Sequence, residues 1–353
     1  MDTFLPICAA FFPDCSVLAV EEIKVGHINR TYKITLQLNN EQRDFLLQSV
    51  NTYVFKEPQK VMENIAAVTE HIKSRLRFYP AADGNNFFAD DSGFWRLCDY
   101  IPSVTCSTVD DLSMVREAAC AFGQFQQQLS DFPAASLHET IPNFHNTRSR
   151  FAALKAAAAA DSAGRLDSCR QVCEALLALE EPACRMTDLL SEGKLPLRVT
   201  HNDTKINNVL FDENGHALCV IDLDTVMPGL VGHDYGDALR TAANREAEDS
   251  VDLDKVGVDV EVFRAFTEGF LSVLAHKLTQ TELDTLALSF LTLSAEQAAR
   301  FLTDYLQGDV YFRVEHSEHN LQRTRCQLAL AQDVQRRLPQ LESIVAEIAV
   351  KYC

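Results

Sequence analysis

The sequence carries little positive charge for its length. Of 353 residues, 32 are lysine or arginine and 50 are aspartate or glutamate, which gives a net charge of −18. Nucleic acids and anionic membrane surfaces are bound through basic patches. The charge balance therefore argues against nucleic acid and membrane as main partners.

Long apolar runs are also absent from the sequence. A membrane-spanning helix is indicated by about 18 or more uncharged apolar residues, and no stretch approaches that length. The apolar segment 1–13 has Asp2 where a signal peptide carries positive charge. We expect this segment to form a first helix or strand in a cytoplasmic protein.

The eleven cysteines do not form a metal-binding pattern, because their number is odd and their spacings are scattered. The close pair Cys169 and Cys173 lies in a helical pattern without the second pair or histidine partner of a zinc site. Reduced thiols in a cytosolic core are the expected state.

The chain changes character near residue 103. After it, amphipathic and alanine-rich patterns predict helices almost to the end of the chain. We therefore expect a small lobe at 1–102 and a helical lobe at 103–353, with the boundary near Pro102. In the first region, alternation and helical spacing predict strands at 31–38, 44–50 and 94–101 and a helix at 58–71.

The most informative segment surrounds His201. His201, Asp203, Lys205 and Asn208 have the spacing H-x-D-x-K-x-x-N, and Asp222 follows at the end of an apolar run. This is the spacing of a kinase catalytic loop followed by its metal-binding aspartate. The pattern predicts a phosphoryl-transfer site.

A hairpin is predicted directly after this loop. An Asn-Gly pair at 214–215 lies between the apolar runs 209–211 and 217–221, and both residue types tolerate the positive φ of a tight turn. The two ends of a hairpin lie together. The Asn208 carboxamide and the Asp222 carboxylate can therefore converge on one magnesium ion.

Each polar residue of the segment has an expected role. Asp203 would accept a hydrogen bond from the attacking hydroxyl and orient it, and Lys205 would donate to the γ-phosphate of ATP. Asn208 and Asp222 would hold the metal. Asp224 would point to the same side as Asp222 if the segment is extended, as a second ligand or as its partner.

Three further polar residues near the loop have structural interpretations. We expect His201 to support the loop rather than to act as a base. Asp234 and Asp237 open a predicted helix, where carboxylates complement the helix dipole and can hold the loop.

These motifs resemble the aminoglycoside phosphotransferase and choline kinase superfamily over nearly the whole chain, and several segments are most similar to the N-acetylhexosamine 1-kinases. The resemblance implies an α+β, two-lobed protein-kinase-like fold with ATP and Mg²⁺ as cofactors. The segments that carry it are GHINRTY (26–32), LLQSVNTYVFKEP (46–58), VMENI (61–65), IPNFHNT (141–147), THNDTKINNVLFD (200–212), IDLDTVMPGL (221–230), HDYGDALR (233–240) and RFLTDYLQGDVYF (300–312).

The resemblance also implies a nucleotide site in the small lobe. A turn with a single glycine would fold over the phosphates, although its residues 27, 29 and 30 could instead face the acceptor. The predicted strand 94–101 would end in a hinge whose backbone pairs with adenine. The turn residues are Gly26, Asn29, Arg30 and Thr31, and the hinge residues are Asp99, Tyr100 and Ile101.

The sequence departs from the superfamily at Gln48, where many relatives carry a lysine that pairs with phosphate. Glutamine supplies no positive charge. Lys56 is a possible substitute, although an exposed lysine is expected there. The glutamate that usually partners the lysine would be Glu63 or Glu70, and each is expected to be solvated.

The acceptor is expected on the helical lobe. Hydrogen-bonding groups and a planar or aromatic face suit a sugar. Arg300 and Asp304 lie one helical turn apart and could alternatively form a surface pair. The resemblance to the N-acetylhexosamine kinases implies sugar contacts at Thr225, Arg300 and Tyr311, and the further candidates are His145, Asn146 and Asp224.

The expected activity is transfer of the γ-phosphoryl group of ATP to the anomeric hydroxyl of an N-acetylhexosamine. A kinase for choline, homoserine or an aminoglycoside is the alternative within the superfamily. A nucleotide-binding module without turnover is the alternative outside enzymes, and Gln48 is its motivation. A protein kinase is disfavoured because Asp222-Leu223-Asp224 lacks the usual Phe and Gly and no Ala-Pro-Glu follows.

Overall fold

The computed structural model describes residues 3–24, 28–105 and 111–352, so Gly26 and His27 of the predicted turn lie outside the described residues. The helices are α1 (Leu5–Phe11), α2 (Pro58–His71), α3 (Leu112–Gln128), α4 (Thr147–Ala160), α5 (Leu166–Leu177), α6 (Glu180–Ala183), α7 (Arg185–Ser191), α8 (Val231–Ala242), α9 (Val260–Leu274), α10 (Gln280–Gln307) and α11 (His319–Tyr352). The strands are β1 (Ser16–Ile23), β2 (Arg30–Leu38), β3 (Glu41–Val50), β4 (Phe88–Asp90), β5 (Gly93–Asp99), β6 (Val104–Thr105), β7 (Arg198–Thr200), β8 (Val209–Phe211), β9 (Ala217–Val220) and β10 (Met227–Gly229).

The first five strands form one antiparallel sheet in the order β1-β2-β3-β5-β4. Side chains alternate between its faces. On the outer face, Phe45 and Leu47 of β3 pack with Leu97 of β5 and Ile7 of α1. The inner face carries Leu46, Gln48 and Val50 of β3, and α2 packs against it.

Helix α2 connects the sheet to the rest of the molecule. It starts with Pro58, whose missing N–H costs nothing in the first helical turn. Met62 is fully buried beneath the sheet. The buried Asn64 donates to the carbonyl oxygens of His138 (2.8 Å) and Val226 (2.9 Å). The helix is thereby anchored to the helical region.

Helix α10 lies at the centre of the helical region, where α4, α8 and α11 pack on it. Helices α3 and α9 form a second close pair. At their crossing, a Cβ on Gly123 would lie only 2.8 Å from the Phe270 carbonyl oxygen, so glycine permits the approach. Strand β6 pairs with β8, in a small sheet separate from the first.

The structure confirms the predicted α+β arrangement of a strand-rich N-terminal region and a large helical region. The predicted helix 58–71 and the strand pair 209–211 and 217–221 are present, the latter ending one residue earlier. The predicted strand 94–101 ends at Asp99, where the chain leaves the sheet. Within the described residues, no helix has both the length and the apolarity needed to cross a bilayer.

Candidate active site

The predicted catalytic loop and the end of the hairpin are joined. The Ile221 N–H donates to the Asn208 carbonyl oxygen (2.9 Å). Nε2 of His201 lies 2.8 Å from the Ile221 carbonyl oxygen. His201 is fully buried, with Phe122 and Phe125 edge-on to its ring. The histidine therefore supports the loop from inside the protein.

Two aspartates of α8 hold the loop backbone. Asp234 accepts from the N–H groups of His201 (3.0 Å) and Asn202 (2.7 Å), and Asp237 accepts from the N–H of Thr204 (3.0 Å). Burial raises the pKa of Asp234, although the loop N–H groups oppose this effect. Side chains of one rigid helix thus fix the loop conformation, including the positive φ of 64° at Asn202.

Asp203, Lys205 and Asn208 contact one another at the loop surface. Nζ of Lys205 lies 3.1 Å from Oδ1 of Asp203, whose side chain is 27% exposed. Nδ2 of Asn208 donates to the main-chain oxygen (2.8 Å) and Oδ2 (3.2 Å) of Asp203. Burial would raise the pKa of Asp203, but Lys205 and His201 outweigh it and lower the pKa. The carboxylate is therefore ionised and open to a hydrogen-bond donor.

Asp222 and Asp224 diverge, and the prediction that they point to one side is wrong. Asp222 has a φ of 61°, a left-handed conformation that few non-glycine residues adopt. Residues 223–225 then form a 3₁₀ turn, so the strand alternation behind the prediction ends at Val220. Asp222 is exposed, whereas Asp224 is buried and bonded to Arg96 of the sheet.

The donor set around Asp222 fits magnesium. Desolvation by the surrounding protein and the charges of Asp224 and Asp203 raise the pKa of Asp222 to about 7, and a divalent cation would relieve that repulsion. Within the described residues, no three His, Cys, Asp or Glu side chains form a metal site by themselves. Magnesium usually takes one or two protein carboxylates and completes its shell with waters and phosphates. Asp222 together with Oδ1 of Asn208 meets that requirement.

The predicted phosphate-side residues are divided between the two faces of the sheet. Nε2 of Gln48 donates to the Thr31 hydroxyl (3.1 Å) on the inner face. Nδ2 of Asn29 donates to Oδ2 of Asp224 (2.6 Å), which links the turn to the helical region. Alternation along β2 places Arg30 on the face opposite to Thr31, the one covered by α1.

The hinge side chains are engaged with the protein. The Tyr79 hydroxyl donates to Oδ1 of Asp99 (2.7 Å), and Nζ of Lys33 lies 4.5 Å from the centre of the Tyr100 ring. Ile101 is buried. The predicted adenine contact would therefore fall to the hinge backbone. A cavity of about 380 Å³ beside the hinge is lined by Arg43, Asp44, Arg75, Asp99, Tyr100, Ile101 and Pro102.

The candidates for a lysine–glutamate pair lie at the surface. Lys56 is exposed and its Nζ lies 4.3 Å from the centre of the Tyr53 ring. Oε2 of Glu63 lies 2.6 Å from Nε2 of His138, and Glu70 is exposed. These side chains therefore do not complement Gln48.

Three predicted acceptor residues make internal contacts. Nδ1 of His145 lies 2.8 Å from Oε1 of the buried Glu296. The Asn146 side chain caps the N-terminus of α4. The Thr225 hydroxyl donates to the His201 carbonyl oxygen (2.7 Å). The structure thus gives each of them an internal structural role, and sugar contact by them stays a prediction.

Arg300 lies between two aromatic rings. Its guanidinium carbon is 5.2 Å from the centre of the Phe144 ring and 5.5 Å from that of Phe312. The neighbouring Tyr311 is 55% exposed. The Phe144 ring lies 4.5 Å from that of His145, which contacts the residue preceding Asp203. This aromatic surface therefore adjoins the predicted catalytic loop.

Asp304 orders the chain segment that presents this surface. The buried carboxylate accepts from the N–H groups of Val310 (2.9 Å), Tyr311 (2.8 Å) and Phe312 (3.0 Å). The alternative surface pair between Arg300 and Asp304 is therefore wrong, because Asp304 is turned inward. Arg300 donates to Gln297 instead (2.9 Å).

The family model described as the phosphotransferase enzyme family matches residues 19–262, more than half of the chain. The chain belongs to this phosphotransferase family.

Solved structures share the fold of this phosphotransferase. An aminoglycoside phosphotransferase from Alicyclobacillus acidocaldarius is 12% identical, with a TM-score of 0.63 over 97% of this chain and 96% of its own. A choline kinase from Cryptosporidium parvum is 14% identical, with a TM-score of 0.61 over 96% of each chain. A spectinomycin phosphotransferase in complex with ADP and spectinomycin is 13% identical, with a TM-score of 0.55 over 99% and 97%.

The sequence did not predict three buried polar residues of this phosphotransferase that support the candidate site. They are Asn64, Arg96 and Glu296. Arg96 is a single charge within the apolar run FWRLC, and such a residue indicates a buried ion pair when the strand is covered on both faces. Asn64 and Glu296 lie on buried helix faces, where a polar side chain requires a partner. Those signals identify the residues but not their partners.

Proposed function

We propose that this phosphotransferase transfers the γ-phosphoryl group of ATP to the anomeric hydroxyl of an N-acetylhexosamine such as N-acetylglucosamine or N-acetylgalactosamine. The observation that carries the proposal is the contact set of Asp203, Lys205 and Asn208 beside Asp222. It combines a solvent-facing carboxylate, a cation and two oxygen ligands, which phosphoryl transfer requires.

Asp203 would accept the hydrogen bond of the attacking hydroxyl and orient it for in-line attack on the γ-phosphorus. Its lowered pKa keeps it ionised at neutral pH, so it can accept the hydrogen bond that orients the hydroxyl. Lys205 would donate to the phosphoryl oxygens, and its contact with Asp203 keeps both groups at one point of the cleft.

Asp222 and Asn208 would hold magnesium, which when bound neutralises charge on the nucleotide phosphates. The loop backbone bonds to Asp234 and Asp237 would keep these side chains in place before substrate arrives. Such preorganisation lowers the cost of reaching the reactive geometry.

The aromatic surface around Arg300 supports a neutral, planar-faced acceptor. Phe144 and Phe312 hold the guanidinium flat, so that it can donate to hydroxyl or carbonyl oxygens of a sugar. Tyr311 offers an exposed ring and hydroxyl. A permanent positive charge at this position disfavours choline or an aminoglycoside, because a cationic acceptor would be repelled.

The test is ADP release from ATP and Mg²⁺ in the presence of N-acetylglucosamine, N-acetylgalactosamine, choline, homoserine and an aminoglycoside. We expect turnover with an N-acetylhexosamine and a product that carries phosphate at the anomeric carbon. The matched control is Asp203→Asn, which should lose at least about a hundredfold in turnover while nucleotide affinity changes little.

Turnover with choline and none with any sugar would replace the proposed acceptor. Retained nucleotide binding without turnover on any acceptor would favour the non-catalytic module. Full activity of Asp203→Asn would contradict the role assigned to that carboxylate.

A further inference from the structure

Arg96 is a buried cation on the inner face of the sheet. It lies on β5, and its side chain is only 2% exposed. Its Nε donates to Oε1 of Gln48 (2.9 Å), and its Nη1 forms an ion pair with Oδ1 of Asp224. A buried guanidinium is retained only where charge and hydrogen bonds compensate its desolvation. The contacts of Arg96 provide both.

The position of Arg96 is fixed by strand register. Gln48 and Arg96 are direct cross-strand partners, and Thr31 is the partner of Gln48 on its other side. All three side chains therefore stand in one row across the inner face. In that row, the arginine on β5 is the cation and the residue on β3 is neutral.

Helix α2 offers Arg96 no carboxylate. The helix contact is Met62, whose Sδ lies 3.8 Å from Nη1 of Arg96. Glu63, the next residue, is turned to the surface and pairs with His138. The acidic partner comes instead from Asp224 in the helical region, 128 positions along the chain.

Asp224 is two residues after Asp222. Besides Arg96, it accepts from Nδ2 of Asn29, the residue directly before β2 (2.6 Å). Two elements of the sheet region thus hold the turn at 223–225. The turn follows directly on Asp222, so its anchoring determines where the Asp222 carboxylate stands.

We propose that Arg96 and Gln48 together replace the lysine that strand β3 lacks, with Arg96 acting as a positioning residue. Arg96 holds Asp224, and through it the Asp222 turn, and it places positive charge behind the wall that faces the nucleotide phosphates. Gln48 orients the guanidinium. This inference rests on the proposed nucleotide site, not on the identity of the acceptor.

The test moves the positive charge from Arg96 on β5 to position 48, its cross-strand partner on β3. Nucleotide affinity is measured by titration calorimetry with ATP, in Mg²⁺ and in EDTA, on wild type, Arg96→Met and the double variant Arg96→Met with Gln48→Lys. No acceptor is present, so the result is independent of which hydroxyl the enzyme phosphorylates.

We expect Arg96→Met to weaken ATP binding in Mg²⁺ by at least about tenfold, the equivalent of one charge-assisted hydrogen bond. The double variant should recover most of that loss, since the lysine restores a cation in the same row. The effect should be larger in Mg²⁺ than in EDTA, because only the metal-bound complex uses the Asp222 turn. A purely structural role of Arg96 would predict an equal loss of affinity in Mg²⁺ and in EDTA, which tracks the loss of stability.

Two further variants keep the test decisive if Arg96→Met does not fold. Gln48→Met keeps the buried charges, removes the bond to Nε of Arg96 together with the bond to the Thr31 hydroxyl, and should weaken Mg²⁺–ATP binding by about threefold to tenfold. Arg96→Met with Asp224→Asn leaves no unpaired buried charge, so it should fold and bind Mg²⁺–ATP weakly. Arg198→Met is the control, because Arg198 forms a similar pair with the buried Glu282 and should lose stability but not affinity.

Wild-type affinity for Mg²⁺–ATP in a folded Arg96→Met or Gln48→Met variant would overturn the proposal. So would a double variant Arg96→Met with Gln48→Lys that binds no better than Arg96→Met. Failure of every sugar in the turnover assay would leave these binding results unaffected and would count against the acceptor alone.

Discussion

Replacing Glu296 by glutamine tests how the protein supports its catalytic loop from the acceptor side. Glu296 lies on α10, is 1% exposed, and accepts from the Thr147 hydroxyl (2.7 Å). It also contacts Nδ1 of His145 (2.8 Å). The other ring nitrogen of His145 is 3.3 Å from the carbonyl oxygen of Asn202, next to the proposed base. The substitution keeps the shape of the side chain and removes its charge.

The expected loss in the free energy of unfolding follows from the lowered pKa of Glu296. Burial by itself would raise its pKa, but the charge of His145 and the bonds from His145 and Thr147 outweigh burial and lower the pKa from 4.5 to about 2. The free-energy equivalent of that difference is roughly 3 kcal/mol. We expect Glu296→Gln to lower the free energy of unfolding by about that amount at pH 7.

The pH dependence gives a second signature. The unfolded glutamate takes up a proton near pH 4.5, whereas the folded one stays ionised until about pH 2. The stabilisation is therefore complete above pH 4.5 and is lost as the pH falls through that interval. Urea unfolding of wild type and Glu296→Gln at pH 7 and at pH 3.5 should show the difference between them shrinking at the lower pH.

Activity separates loop support from stability alone. Glu282→Gln is the matched control, because Glu282 is also buried on α10 and paired with an arginine, Arg198. Both variants should lose stability, but only Glu296→Gln should lower turnover by roughly tenfold or more under folding conditions, since it releases the loop. Equal turnover of the two variants, or a stability difference that does not change with pH, would refute the reasoning.

Two further predictions concern segments that the tertiary structure positions. Asp304→Asn should raise the KM for the acceptor while leaving the KM for ATP nearly unchanged. The reason is that an amide binds the N–H groups of 310–312 less strongly than the carboxylate does. Equal increases in both constants would contradict this prediction. Gly236→Ala should lower the free energy of unfolding by about 1–3 kcal/mol in a denaturant titration. The added Cβ would lie 2.7 Å from the main-chain carbonyl carbon of Ser289 on α10. Unchanged stability would show that α8 and α10 can separate.

Local patterns in the sequence were sufficient for much of the site. The H-x-D-x-K-x-x-N spacing and the Asn-Gly turn predict a loop and a hairpin, and the structure brings Asp203, Asn208 and the Ile221–Asp222 end together. The physical reason is that these residues are close to one another in the sequence. A hairpin joins residues that are close in the chain, and its turn chemistry fixes the register.

The prediction for Asp222 and Asp224 failed for an equally local reason. The apolar run 217–221 predicts a strand up to Ile221, but it does not indicate the left-handed φ of Asp222 or the 3₁₀ turn after it. Backbone conformations of this kind are sparsely populated and persist because the surrounding structure holds them. Here that surrounding structure includes Arg96 of β5 and Asn29, which directly precedes β2.

By itself, then, the sequence determined the two-region α+β arrangement, the loop at 201–208 and the hairpin at whose ends the proposed metal ligands lie. The tertiary structure decided which charges are paired. Arg96 meets Asp224 across 128 positions and His145 meets Glu296 across 151. Buried charges take whichever partner the packed elements bring within hydrogen-bond distance, and that choice depends on the packing of sheet, α2 and α10 rather than on any local pattern.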